Sequence, residues 1–419
     1  MYKSRDISRV FNIFNQGSRP LALGASKLLP AVVFPLFFQP QENTGFSFHR
    51  AIGEPWNFVK SFSGVIVSCE SIQSSHADDE YAENSGVSSF ESVRPSLSFL
   101  PSWLHKIFPV LCWFVLVSVW LGAAAAPVFV LICLTVGALD ELLVFLIIWL
   151  LGSVTKFPQL PSLTEALTTG VEAWFREFSI YYERDSVKTS EGSRICTTSR
   201  SRRKTIYCYH PHGLFSIGAV LLAMDLIRGG EKIAFITSSH MRWFNPFIKM
   251  FMDMAGIEIV GASPQEVQAA MKRGDRSLIL VPGGYEEAVL TQNGFERLFL
   301  EDRKGFVKYA MRYGYSLTPV YAYGENELYR CVGVASRFRM WLAQWKIPIV
   351  VFYGDNRMPL LPIQNERGLK IVVGREVFLD TVLNPSSDAL HEAHAIYIEK
   401  LVEMYYRHNR DQDRPLEIV

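Results

Sequence analysis

The sequence predicts an α/β fold: a largely parallel sheet flanked by helices, anchored to a membrane by a hydrophobic transmembrane hairpin that precedes it. Three observations carry this expectation. Ile107 to Leu139 runs without a charged side chain, well beyond the ~20 residues one span needs. From Thr205 onward, short β-branched and aromatic runs alternate with helix-length amphipathic segments, the pattern of strands joined by crossover helices. The 419 residues are 49% hydrophobic and 13% aromatic, with 29 Phe, and mean hydropathy is +0.13, high for a soluble enzyme.

Taken in order, residues 1–39 carry Lys3, Arg5, Arg9, Arg19 and Lys27 against one acid, Asp6, a balance found in targeting leaders. Pro30 and Pro35 interrupt the apolar run Leu28–Phe38, so a membrane-lapping or disordered leader competes with a cleaved one. Residues 68–98 are rich in Ser and acids and read as a disordered linker. Three regions follow: 1–98, disordered or targeting; 99–156, the membrane hairpin; and 157–419, the α/β domain. Within the hairpin, Pro127 divides the first apolar run and Asp140-Glu141 separates it from Leu142–Gly152. Either two tilted helices turn near Pro127, or one span is followed by a re-entrant segment. A hairpin with both ends on one side is preferred, its acids facing protein or an interface because charge is expensive in lipid. Beyond Lys156 a Pro-punctuated loop leads to an amphipathic piece around Trp174–Tyr182. A polar stretch then ends in the basic cluster Arg200, Arg202, Arg203 and Lys204.

In the α/β region, strands are expected at Ile206–Tyr209, Ile233–Ser238, Leu278–Pro282, Leu317–Tyr323, Ile347–Tyr353 and Leu369–Val373. Helices are expected at about 214–228, 246–255, 264–273, 303–314, 328–344 and 388–408. Runs this apolar belong to strands buried on both faces.

Composition narrows the function classes. With 42 basic against 41 acidic residues and a net charge of +1, no nucleic acid or other polyanion is implied as partner. The six cysteines, Cys69, Cys112, Cys133, Cys196, Cys208 and Cys331, make no Cys-x-x-Cys pair. Neither a zinc site nor a disulfide framework is indicated.

Four clusters carry chemistry. His210-Pro211-His212-Gly213 stands at a strand-to-helix turn, where Pro211 stops the strand and helix N–H groups attract negative charge. A histidine that is neutral near pH 7 is the usual general base. His-x-His also ligates zinc, but no third and fourth ligand stand nearby. Gly283-Gly284-Tyr285-Glu286-Glu287 follows a strand, and such turns gather at the catalytic crevice of α/β sheets; either glutamate could orient a histidine or meet a polar substrate. Arg303, Lys304 and Lys308 suit phosphates of a large anionic substrate such as coenzyme A, or form a solvated helix face. Glu325 and Asn326, after Tyr323-Gly324, would line the same crevice or cap the next element.

In this order, His210-Pro211-His212-Gly213, the Gly283–Glu287 turn, Arg303-Lys304-Gly305-Phe306-Val307 and Tyr323-Gly324-Glu325-Asn326 resemble the type-2 acyl-CoA:diacylglycerol acyltransferases, a family that includes monoacylglycerol and wax-alcohol acyltransferases. Asn245-Pro246, Gly256, His394 and Tyr397 add to the resemblance, which covers roughly Phe108 to His408. It implies acyl-CoA-dependent acylation of diacylglycerol, with monoacylglycerol or a long-chain alcohol as alternative acceptors, acyl-CoA as co-substrate and neither cofactor nor metal. Its implied catalytic residues are His212, His210 and Glu287. Gly213, Gly283, Gly284, Arg303, Lys304, Gly305, Phe306, Glu325 and Asn326 are its implied substrate contacts. The partners implied are acyl-CoA, diacylglycerol and the lipid bilayer, with a homo-oligomer left open; the location is the endoplasmic-reticulum membrane, or a lipid droplet or plastid envelope. Two departures stand out. The family's Gly-Arg-Gly segment is replaced by Ser336-Arg337-Phe338-Arg339, and position 217, where related acyltransferases place an Asp, is Ile217. The rival from another class is a membrane-bound lipid hydrolase with Ser216 or Cys208 as nucleophile, neither of which sits in a Gly-x-Ser-x-Gly elbow.

Overall fold

A computed structural model describes residues 87–91, 97, 100–185, 204–332, 336–344, 350–364, 367–409 and 414–419. The leader, most of the Ser-rich linker and Arg200–Arg203 lie outside the described residues. The first strand, β1 (Val87–Glu91), is followed by the long apolar helix α1 (Ile107–Val136). This helix ends at Gly137 in the left-handed conformation and gives way to α2 (Leu139–Val154). The turn therefore comes ten residues after Pro127, which stays inside α1. Asp140 and Glu141 occupy the exposed first turn of α2, where the helix dipole favours acids. No single helix among the described residues is long and apolar enough to cross a membrane; the two parts of α1, Ile107–Gly122 and Ala125–Val136, meet that test only as a pair bent by 67°.

Next come α3 (Pro161–Glu172), β2 (Phe178–Asp185), β3 (Thr205–His210), α4 (Ile217–Arg228), β4 (Ile233–Thr237), α5 (Ser239–Phe244), α6 (Pro246–Ala255), β5 (Glu258–Gly261), α7 (Pro264–Arg273) and β6 (Ser277–Leu280). The remainder is α8 (Gly284–Leu290), β7 (Glu296–Leu298), α9 (Gly305–Tyr313), β8 (Ser316–Tyr323), β9 (Arg330–Cys331), α10 (Ser336–Gln344), β10 (Phe352–Tyr353), β11 (Leu369–Val373), α11 (Ser387–His408) and β12 (Leu416–Ile418). The expected helices 246–255 and 264–273 match α6 and α7, each opened by Pro at its first turn, where a missing N–H costs nothing. The same device begins α3 at Pro161, a segment expected to be a loop because of its prolines. The expected helix 328–344 is instead strand β9 followed by the shorter α10. Of the strand expected at Ile347–Tyr353, only Phe352–Tyr353 lies in a described strand.

Eight strands form the main sheet in the order β1-β2-β11-β8-β3-β6-β4-β5. Pairing is parallel except at β1/β2 and β11/β8. Because side chains alternate along a strand, β3 divides its residues between two cores. Tyr207 and Tyr209 join Trp113, Ile217, Leu221, Phe251 and Ile371 on one face. Ile206 and Cys208 join Val307, Met311, Tyr397 and Leu401 on the other. From β3 the chain leaves through α4 on the first face towards β4; from β6 it crosses back through α9 on the second face to β8. Connections that part on either side of β3 open a crevice at the carboxyl ends of the central strands.

The first half of α1 belongs to this core. Trp113 is fully buried and its indole N–H donates to the Val171 carbonyl at 3.1 Å. The first half of α1 thus shares a core with the α/β domain. Asn245, also fully buried, donates to the Val119 carbonyl at 2.9 Å while its own carbonyl caps α6 through the Ile248 N–H at 3.2 Å. Just beyond it, Phe247 rests against Gly122 of α1 and Pro246 against Gly152 of α2, and Phe247 meets Trp149 edge to face at 5.8 Å. Asn245-Pro246-Phe247 is therefore a wedge that joins both apolar helices to the α/β domain. Farther round, β12 runs parallel to β7, and Val419 accepts from the Leu300 and Glu301 N–H groups at 2.8 and 3.1 Å.

Asn245→Ala removes a helix cap and a buried hydrogen bond together, worth about 2–3 kcal/mol in combination. Thermal unfolding of the detergent-solubilised protein should show this loss, and limited proteolysis should cut first near α1 and α2.

Candidate active site

Strands β8, β3 and β6 are neighbours, so the turns after Tyr323, His210 and Leu280 meet at one edge of the sheet. The two histidines there have different surroundings. His210 points into the second core: it is fully buried, its Nε2 lies 2.9 Å from the Tyr397 hydroxyl, and Nδ1 has no hydrogen-bond partner. Burial pushes its pKa down to about 3, so it stays neutral. His212 is half-buried. Its Nδ1 lies 2.9 Å from the Gly213 carbonyl. A carbonyl only accepts, so Nδ1 carries the proton and Nε2 keeps its lone pair. No described residue hydrogen-bonds that Nε2, and burial holds the ring's pKa below its ordinary value. These are the attributes of a general base.

The turn that presents His212 is held by its backbone. Glu287 accepts from the His212 N–H at 2.5 Å and from the Phe299 N–H at 3.0 Å. Glu325 accepts from the Ile217 N–H at 2.9 Å, the Gly218 N–H at 3.0 Å and the Tyr209 hydroxyl at 2.8 Å. Ser216, the residue at the N-cap position of α4, does not cap it; its hydroxyl donates to the His212 carbonyl at 2.8 Å and stands 3.2 Å from Nδ1. Its φ of +50° is a left-handed conformation that costs a non-glycine residue about 1–2 kcal/mol. Thr291 donates to the Gly213 carbonyl at 3.2 Å.

Two glycines make the packing feasible. Gly213 has φ +58°, and a Cβ there would stand 2.6 Å from Glu325 Cγ. At Gly283 a Cβ would overlap the Glu287 carboxylate. Both carboxyls are almost wholly buried, and burial raises each to about pH 7.

The other expected contacts divide. Gly284 starts α8 at φ +62°. Asn326 is buried as a brace, donating to the Phe295 carbonyl at 3.3 Å and to Glu296 at 3.1 Å. Arg303 pairs with Glu286 at 2.8 Å, which sets it beside α8 at the rim. Lys304 stands 3.5 Å from His391 Nε2, and Gly305 is open to solvent. Phe306 turns inward against Tyr397 and His394, with ring centroids 5.0 and 6.2 Å apart. It forms core, not a surface for substrate. The helix N-terminus expected to attract substrate charge has its Ile217 and Gly218 N–H groups taken by Glu325. The Gly213 N–H, in contrast, makes no hydrogen bond among the described residues.

An apolar wall flanks the turn on the first face. Phe215 stacks with Trp120 of α1 at 6.3 Å and meets Tyr329 and Phe352 edge to face, each at 5.3 Å. Sequence reasoning reached Ser216 only as a rival hydrolase nucleophile and found none of Tyr209, Phe215, Trp120 or Thr291 as site residues. Ser216 alone left a local signal, four residues after His212.

Residues 171–418 match the family model described as diacylglycerol acyltransferase, a range that holds all four motifs and begins after α1 and α2. The chain is 29% identical over 257 residues to acyl-CoA wax alcohol acyltransferase 2 of Mus musculus, covering 57% of this chain and 74% of that protein. It is 28% identical over 222 residues to diacylglycerol O-acyltransferase 2 of Dictyostelium discoideum, covering 49% and 66%. Identity to 2-acylglycerol O-acyltransferase 1 of Mus musculus is likewise 28% over 222 residues, covering 48% and 64%.

The raised carboxyls give the site a pH signature. Between about pH 4.5 and 7, Glu287 and Glu325 bind protons in the folded chain that the unfolded chain has released. Stability should therefore fall as pH rises through that window. Melts at graded pH should show a slope that flattens in Glu287→Gln.

Proposed function

Because the chain belongs to the diacylglycerol acyltransferase family, and is thereby an acyltransferase, we propose that it transfers an acyl group from acyl-CoA to the free hydroxyl of diacylglycerol. The observation that carries this reading is the His212 ring: proton fixed on Nδ1 by the Gly213 carbonyl, and Nε2 without a hydrogen-bond partner among the described residues. Nε2 takes the acceptor's hydroxyl proton as its oxygen attacks the thioester carbonyl. The C–S bond breaks, and the proton passes to the departing thiolate. The open Gly213 N–H is the donor proposed for the oxyanion. Glu287 acts as a positioning residue, since it holds the His212 main chain. His210 supports the turn from behind. The reading calls for no cofactor or metal.

Diacylglycerol is dissolved in lipid while acyl-CoA arrives from water, so the crevice belongs at the interface. Leu131, Leu134, Leu143, Ile148, Leu150 and Leu151 are exposed apolar side chains on α1 and α2, and these helices are the segment we propose enters the bilayer. The endoplasmic-reticulum membrane is the location this reading favours, with lipid droplet or plastid envelope as alternatives.

A second acceptor is favoured by one finding: the relative with 29% identity is named for wax alcohols. A hydrolase reading would need Ser216 or Cys208 as nucleophile, yet the Ser216 hydroxyl is buried and bonded to the His212 carbonyl, and the Cys208 thiol is fully buried in the second core.

Membranes containing the protein, given labelled oleoyl-CoA and diacylglycerol, should place label in triacylglycerol. His212→Ala at equal protein level should abolish it, while Ser216→Ala should retain activity. Label in wax ester or diacylglycerol, with the matching acceptors, would change the acceptor and keep the chemistry. An active His212→Ala would remove His212 as base.

A further inference from the structure

Arg339 is a buried cation with no ion-pair or hydrogen-bond partner among the described residues. It is 6% exposed, and its Nε and Nη1 are buried with no hydrogen-bond partner. The titratable group beside it is Cys331, a thiol that burial pushes up to about 11 and so keeps neutral. Burying guanidinium N–H groups without an acceptor costs free energy. Folded chains keep such a group where a ligand supplies the missing charge.

Its position says which ligand. Arg339 lies on α10, which packs against α8, the helix whose Glu287 holds the His212 N–H. Cys331 pairs across the β9–β10 ribbon with Phe352, and Phe352 meets Phe215 of the catalytic turn. Arg339 is thus bracketed by two elements that each touch the turn carrying the base. Of the reactants proposed above, the acceptor and the thioester are both uncharged. Full negative charge is found only on the phosphates of the acyl donor.

We propose that Arg339 binds a phosphate of acyl-CoA, forming the charged wall of the donor site between α8 and the β9–β10 ribbon. This deepens the acyl-transfer reading and rests on it. Arg303 and Lys304 at the rim meet the same donor only through exposed, partly paired charge; Arg339 supplies the desolvated contact, where charge-assisted bonds are strongest.

The test uses the full chain in phosphatidylcholine vesicles, with oleoyl-CoA and with S-oleoyl-pantetheine, which lacks phosphate. Arg339→Gln should raise KM for oleoyl-CoA about ten- to a hundredfold and match wild type on S-oleoyl-pantetheine. Arg339→Lys should recover part of the loss. The substrate-free Gln variant should also melt at a higher Tm, since an unpaired buried charge is gone. Equal losses on both donors with a lower Tm would make Arg339 structural and overturn the proposal. So would an unchanged KM for oleoyl-CoA with loss only of stimulation by phosphatidate-containing vesicles, which would assign Arg339 to a lipid headgroup. Absence of wild-type transfer from oleoyl-CoA, in contrast, would sink the acyltransferase mechanism itself.

Discussion

Two buried carboxylates grip one short turn by its main chain, and the rest of the site depends on that grip. Glu287 takes the His212 N–H and Glu325 takes the Ile217 and Gly218 N–H groups, so the backbone on both sides of residues 213–216 is fixed. Neither acid touches the imidazole. The ring is oriented by the Gly213 carbonyl and keeps one nitrogen for chemistry. Burial of the acids strengthens these bonds, because few competing waters reach them. It also explains why Gly213 and Gly283 have no side chains: the space a Cβ would fill holds the carboxylates.

Much of this was legible in the sequence. The crevice followed from three motifs placed at the ends of predicted strands, since parallel neighbours bring such turns together. In the sequence, His212 is preferred over His210 because it abuts the helix N-terminus and by resemblance, and the paired glycines read as a tight turn. What was not legible was the direction of each bond. An acid beside a His-x-His motif suggests a partner for the ring, but Glu287 and Glu325 bind amides, and nothing in residue type separates the two. Alternation along β3 fixes His210 on the same face as Cys208, yet only the pairing of that face with α9 and α11 turns it into a core residue. Phe306 and Asn326 likewise read as contacts by motif and act as packing and brace. Arg303 was legible as a cation; its pairing with Glu286 depends on two loops meeting in space.

The apolar helices raise a different point. The run from Ile107 onward looks uniform in hydropathy, but Trp113 and its neighbours belong to the protein core while the residues after Gly122 carry the exposed apolar surface. Composition could not mark that change of environment. The Asn245 wedge marks it: a buried amide bonded to the Val119 carbonyl sits where the helix leaves the domain. Trp120, close by, stacks on Phe215, so the same stretch of α1 touches the turn that carries His212.

The pairing of β12 with β7 has a consequence for how the protein is made. Leu416–Ile418 and Val419 hold Leu298–Glu301, and the Phe299 N–H within that segment holds Glu287. During synthesis, α1 and α2 leave the ribosome long before residues 416–419 do, and segments fold in the order they emerge. The apolar helices can therefore find their surroundings while the brace on Glu287 is still missing. The hold on Glu287 is completed only once the last strand of the chain has formed.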